Sequence, residues 1–121
     1  DQAYLGRCAI VLKRDSKELS DLTGEEWVDF HDVVKKLEGA FKKAFGASMF
    51  NWTIMMNDAY KAENPEPQVH WHFRPRYKEN VKFMGELFED VEFAHHYNRE
   101  RKRIVSLGVL EKIAEEVRKF L

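Results

Sequence analysis

Cysteine is nearly absent: the one thiol, Cys8, rules out an internal disulfide and points to a reducing compartment. No apolar run approaches the roughly 18 residues that span a bilayer, and no signal-peptide pattern opens the sequence. A cytoplasmic protein without a membrane partner is expected. Neither sign of charge is in excess, with 20 Lys and Arg against 21 Asp and Glu. No global field therefore draws the chain to polyanions, and nucleic acid is not an expected partner. Internal repeats and low-complexity stretches are missing too. The sequence starts at Asp1 without a methionine and enters strand-like sequence within a few residues, from which an upstream segment is expected. What is present is 121 residues at 44% hydrophobic content, enough for one domain over residues 1–121 with a single core.

Cys8 to Leu12 is a short apolar run and reads as a buried strand, with Cys8 inert inside it. Thr23 and Glu26 have the spacing of a capping box, so a helix should begin there. Trp27, Phe30, Val34, Leu37, Phe41 and Phe45 then form the apolar stripe of a long amphipathic helix that Gly46 can end. From Phe50 the period becomes two: Phe50, Trp52, Ile54 and Met56 face one way, Asn51, Thr53, Met55 and Asn57 the other. Asn64-Pro65 and Glu66-Pro67 mark a loop, after which alternation resumes in a neighbouring antiparallel strand. Val81 to Tyr97 is mixed in period, and short helices or irregular packing are expected there. Leu107, Leu110, Ile113, Val117 and Phe120 mark a C-terminal amphipathic helix. The class is α+β: an antiparallel sheet with one long helix and one terminal helix.

The chemistry concentrates in Gln68-Val69-His70-Trp71-His72-Phe73-Arg74-Pro75-Arg76. Strand residues two apart share a face about 6.5–7 Å apart, so His70 and His72 project together while Val69, Trp71 and Phe73 pack behind them. Arg74 follows on the same face, as does Arg76 if the strand survives Pro75. Imidazoles and guanidiniums in a row suit a phosphate-bearing ligand. Two other readings stay open on the residues alone: a solvated polar row, and a zinc site built on His70 and His72. His31 reads as a core-margin residue, and His95 and His96 as structural ones. Arg99, Arg101, Lys102 and Arg103 read as a solvated face, with contact to a polyphosphate tail or RNA as the alternative.

The same stretch, with histidines alternating with hydrophobic residues before Pro75-Arg76, resembles the signature of the histidine triad family. Leu5 to Arg14, Leu19 to Glu26, Trp52 to Asn57 and Gly85 to Tyr97 resemble further segments of its diadenosine polyphosphate hydrolase-like branch, in the same order. The resemblance implies a histidine triad fold. It also implies that His70 is a nucleophile attacking the α-phosphorus of a nucleotide, through a covalent nucleotidyl-histidine. His72 shares the catalytic face, Asn57 occupies the place of a phosphate-side asparagine, and the implied substrate contains adenine. No cofactor is implied, beyond a divalent cation accompanying a polyphosphate substrate, and the family's two-fold dimer implies a homodimer.

Three positions depart from the pattern. Gln68 stands at the first triad histidine, where it can bind substrate or orient a neighbour but cannot titrate. Glu63-Asn64-Pro65-Glu66-Pro67 lacks the Gly-Gln-Ser/Thr loop that in the family helps to protonate the leaving group, and Asp15 replaces a frequent histidine. Arg74 is a substrate-binding candidate from strand geometry, at a place where the family more often has an apolar residue. A nucleotide hydrolase or transferase working through His70 is the expectation. A nucleotide-binding module that has lost turnover is the alternative, and a metal-dependent hydrolase the third reading.

Overall fold

The computed structural model describes residues 1–121. Its centre is a three-stranded antiparallel sheet in the order β1 (Cys8–Val11), β3 (His70–Arg76), β2 (Met49–Thr53), with α1 (Gly24–Phe45) packed on one face. The capping box forms as the spacing predicts. Thr23 Oγ1 accepts from the Glu26 amide, and the Glu26 carboxylate accepts from the Thr23 amide at 2.8 Å. Gly46 closes the helix in the left-handed region at φ 70°. Phe41 and Phe45 enter the main core with Leu5, Phe73, Tyr77, Phe88, Ile113 and Val117. A second cluster forms where Leu22, Val69 and Trp71 meet Phe30 and Trp52, the Phe30 ring stacking on Trp71 at 4.1 Å. Helix α2 (Leu107–Arg118), capped by Ser106, buries Ile113 and Val117 against this core.

Placing β3 in the middle has a direct sequence cause. Val69, Trp71 and Phe73 are all buried behind it, and burying one such side chain contributes about 1.5–3 kcal/mol. Pro75 is tolerated in a central strand because β1 ends opposite Phe73, so beyond that point only the β2 side needs hydrogen bonds. Arg76 thereby stays on the strand.

Four expectations require correction. The first strand forms but is not buried: it is an edge strand, Cys8 and Ala9 are exposed, and Val11 keeps 54% of its surface. Strand β2 stops at Thr53, although Ile54 and Met56 still pack inward. Residues 81–88 form a hairpin of β4 (Val81–Phe83) and β5 (Glu86–Phe88) rather than helix or irregular chain. Its turn places Met84 at φ 51° and Gly85 at φ 77°, a two-residue reversal whose strands are too short to show a period. His31 is exposed on α1 rather than at the core margin.

The N-terminal segment is part of the core. Gln2, Ala3, Tyr4 and Leu5 are buried, and Gly6 sits at φ 77° against Phe41. A Cβ on Gly6 would lie 2.0 Å from Phe41 Cε1, so only glycine fits.

Candidate functional site

The face of the sheet away from α1 carries His70, His72, Arg74 and Arg76 from β3, flanked in register by Ala9 and Val11 on one side and Asn51 and Thr53 on the other. His70 Nδ1 lies 2.8 Å from the Gln68 carbonyl oxygen. A carbonyl only accepts, so in the neutral ring Nδ1 carries the proton and Nε2 keeps a free lone pair. That Nε2 is 3.1 Å from His72 Nε2. Burial lowers the His72 pKa below its ordinary 6.5, and the neighbouring His70, Arg74 and Arg7 act in the same direction. A hydrogen bond to the Met55 backbone acts the other way, but burial is the larger cause and favours the neutral ring.

Beside His72 opens a polar cavity of about 170 Å³. Asn57, Arg74, Tyr97, Arg99 and Lys102 line it together with Arg7 and Asp58. Arg74 is only 6% exposed, its guanidinium lies 4.0 Å over the Tyr97 ring, and its buried Nη1 has no hydrogen-bond partner. Chiefly through burial its pKa is lowered, with Arg7 and Arg99 contributing, yet a guanidinium stays charged. The Thr53 hydroxyl, on the strand position opposite His72, is also buried without a partner. Of the two, Arg74 belongs to the cavity wall, where cations outnumber carboxylates.

Of the sequence candidates, His70, His72, Asn57 and Arg74 come together. The Gln68 side chain does not join them. Its Nε2 donates to the carbonyls of Leu12 and Arg14, both at 2.8 Å, and its Oε1 accepts from the Ser16 amide at 3.1 Å. Only its main-chain carbonyl reaches the site, as the 2.8 Å partner of His70 Nδ1. His95 and His96 are exposed beyond β2, away from His70. No set of three His, Cys, Asp or Glu side chains converges to hold a metal ion, and the two imidazoles point at each other.

Arg76 reads in sequence as a continuation of the ligand row, but it is an anchor. Fully buried, it donates to both Asp90 carboxylate oxygens at 2.6 and 2.9 Å, to Asn51 Oδ1 at 2.9 Å, and to the carbonyls of His95 and Glu92 at 3.0 and 2.6 Å. This clamp holds residues 90–97 over the sheet and delivers Tyr97, Arg99 and Lys102 to the cavity wall. The basic cluster accordingly divides. Arg101 pairs with Glu92 and Arg103 with Glu86, whereas Arg99 and Lys102 face the cavity. Nothing in the sequence distinguishes the two pairs, because the distinction depends on which carboxylates the hairpin brings near. Tyr4 and Arg7 were likewise not legible as site residues.

The fold and the site define a domain with two facing histidines mounted on a packed strand beside a cavity lined by cationic side chains. The HIT domain family model matches residues 4–79, and the chain belongs to the HIT domain family. It is similar to the bis(5'-nucleosyl)-tetraphosphatase (asymmetrical) of Schizosaccharomyces pombe, at 30% identity over 87 residues, covering 72% of this chain and 47% of that protein. The chain thus spans about half the length of that curated relative. The crystal structure of a Hit-like protein involved in cell-cycle regulation from Bartonella henselae has the same fold, with a TM-score of 0.60 at 22% identity. That match covers 96% of this chain and 71% of the other.

Proposed function

We propose that the chain is a nucleotidyl hydrolase or transferase acting at the α-phosphate of dinucleoside polyphosphates or related nucleotidyl conjugates through His70. The observation that carries this reading is the 2.8 Å contact of His70 Nδ1 with the Gln68 carbonyl: because a carbonyl only accepts, the neutral ring keeps its proton on Nδ1 and its Nε2 lone pair free to attack. In the first step the Nε2 lone pair forms a P–N bond, the P–O bond to the leaving portion breaks, and its electron pair departs on the leaving oxygen. In the second step a water oxygen bonds to phosphorus, the P–N electrons return to Nε2, and the water's protons pass to solvent and product. His72, Asn57 and Arg74 supply the donors that meet the phosphate oxygens.

The similarity to a bis(5'-nucleosyl)-tetraphosphatase supports this substrate class, and adenine is the base we adopt from the family resemblance. A divalent cation would enter with the polyphosphate; the protein residues named here supply the nucleophile and donors. We also propose a homodimer, for which the unpaired outer edges of β1 and β2 leave room. The test is nucleoside monophosphate release from diadenosine tetraphosphate by the wild type and by His70→Ala. Release in the wild type and a loss of at least about a thousandfold in the variant are expected. Tight nucleotide binding with no release from any substrate in a broad panel would instead favour the binding module.

A further inference from the structure

The cavity beside His72 contains more positive charge than its own carboxylates neutralise. Arg7 is held by Asp1 at 2.5 Å, and Asp58, the acid in the lining, is held by Lys61 at 2.5 Å. Arg74, Arg99 and Lys102 line the cavity without a carboxylate partner, and the buried Nη1 of Arg74 has no hydrogen-bond partner. At about 170 Å³ the cavity is also smaller than the roughly 300 Å³ at which sites for drug-sized ligands begin. A compact polyanion fits it better than a nucleoside does.

A second observation comes from the loop before β3. Glu63, Asn64 and Pro65 supply a carboxylate, an amide and a backbone nitrogen without a hydrogen, so that loop carries no hydroxyl to protonate a leaving group. An amine leaving from phosphorus must gain a proton as the P–N bond breaks. A phosphate leaving group needs none: the electrons of the P–O bond pass to the departing oxygen, and the charge spreads over the adjoining phosphates. Fixed guanidiniums and an ammonium group can meet that charge directly.

We infer that this cavity is the leaving-group subsite, in which Arg74, Arg99 and Lys102 select groups that depart as phosphate polyanions over groups that must depart as protonated amines. The inference rests on the His70 reading above and adds the residues that set leaving-group specificity. Arg99 and Lys102 lie beyond residues 4–79, in the segment that the Arg76–Asp90 clamp holds over the sheet. Specificity is thus supplied from outside the part of the chain that defines the family.

The experiment compares kcat/KM for diadenosine tetraphosphate and for an adenosine 5'-phosphoramidate of a simple amine, in the wild type and in the doubly substituted Arg99→Ser/Lys102→Ser protein. The wild type is expected to favour the anhydride, and the double substitution to shrink that preference by about tenfold or more. In parallel, calorimetry measures inorganic tripolyphosphate binding to the His70→Ala protein with and without the two serine substitutions. Removing the two cations is expected to weaken binding by about tenfold. A preference for the phosphoramidate, an unshifted ratio, or equal tripolyphosphate binding in both proteins would overturn the inference. If neither substrate is cleaved, the His70 reading fails on its own while tripolyphosphate binding still decides the role of the cavity.

Discussion

At the scale of single residues, the site depends on which nitrogen of each imidazole carries a proton. Because His72 is held below the ordinary 6.5, its ring should titrate by NMR with a midpoint under 6.5, and a midpoint at or above that value would contradict the assignment. Since the folded ring binds its proton less readily than the unfolded chain's, the contribution of His72 to stability is present above pH 6.5 and is lost as pH falls below it. Arg74→Leu takes away one of the secondary causes and should move the midpoint up, though not fully, because burial remains the main one. Gln68 offers a different lesson. As a residue type it reads as a weakened ligand, but its side chain ties together the chain after β1. Gln68→Ala should therefore lower kcat by letting the His70 carbonyl partner drift while leaving KM little changed, and steady-state kinetics separate the two. A rise in KM alone would return Gln68 to substrate binding.

At the scale of elements, the clamp between β3 and the segment after β5 decides whether the cavity has a second wall. Arg76→Met leaves Asp90 buried without its partner. Removing one member of a buried pair costs about 3–5 kcal/mol, so urea unfolding should show a loss of that size. Asp90→Asn should also free residues 90–103 to limited proteolysis. Resistance equal to wild type would mean that the segment docks by other contacts. Gly6→Ala tests the opposite side of the core: with Phe41 in the way, overpacking should cost about 1–3 kcal/mol or more. Elements with a strong period were legible in the sequence. The helix α1, its two caps, the β2–β3 pairing and α2 all follow from spacing that local physics enforces. Strand β1 was legible as a strand but not as an edge, because burial depends on neighbours that a hydrophobic run does not name. The β4–β5 hairpin was not legible, since three-residue strands show no period and the turn depends on a methionine at positive φ.

At the scale of the whole molecule, a nearly neutral chain hides a local excess of cations. The net charge of −1 excludes a general polyanion binder and says nothing about one cavity. His70, His72 and Arg74 could be placed on one face from strand alternation alone. Tyr4, Arg7, Arg99 and Lys102 could not, because they arrive from two segments far apart in sequence, residues 1–7 and 98–103, that hydrogen-bond to each other. No helix is long and apolar enough to cross a membrane. Sedimentation at micromolar concentration tests the dimer: a two-chain mass is expected, and a single-chain mass would remove it. Polyphosphate affinity should also fall steeply as salt rises, since the cavity is open to screening.

The central claim is that His70 forms a bond to phosphorus, and the most direct test is to trap that bond. Wild-type protein mixed with diadenosine tetraphosphate, quenched within a turnover under conditions that preserve P–N bonds, and examined by peptide mass should carry one added nucleoside monophosphate. That mass should sit on the peptide containing His70 and be absent from His70→Ala. A label on another residue, or undiminished hydrolysis in His70→Ala, would contradict the mechanism.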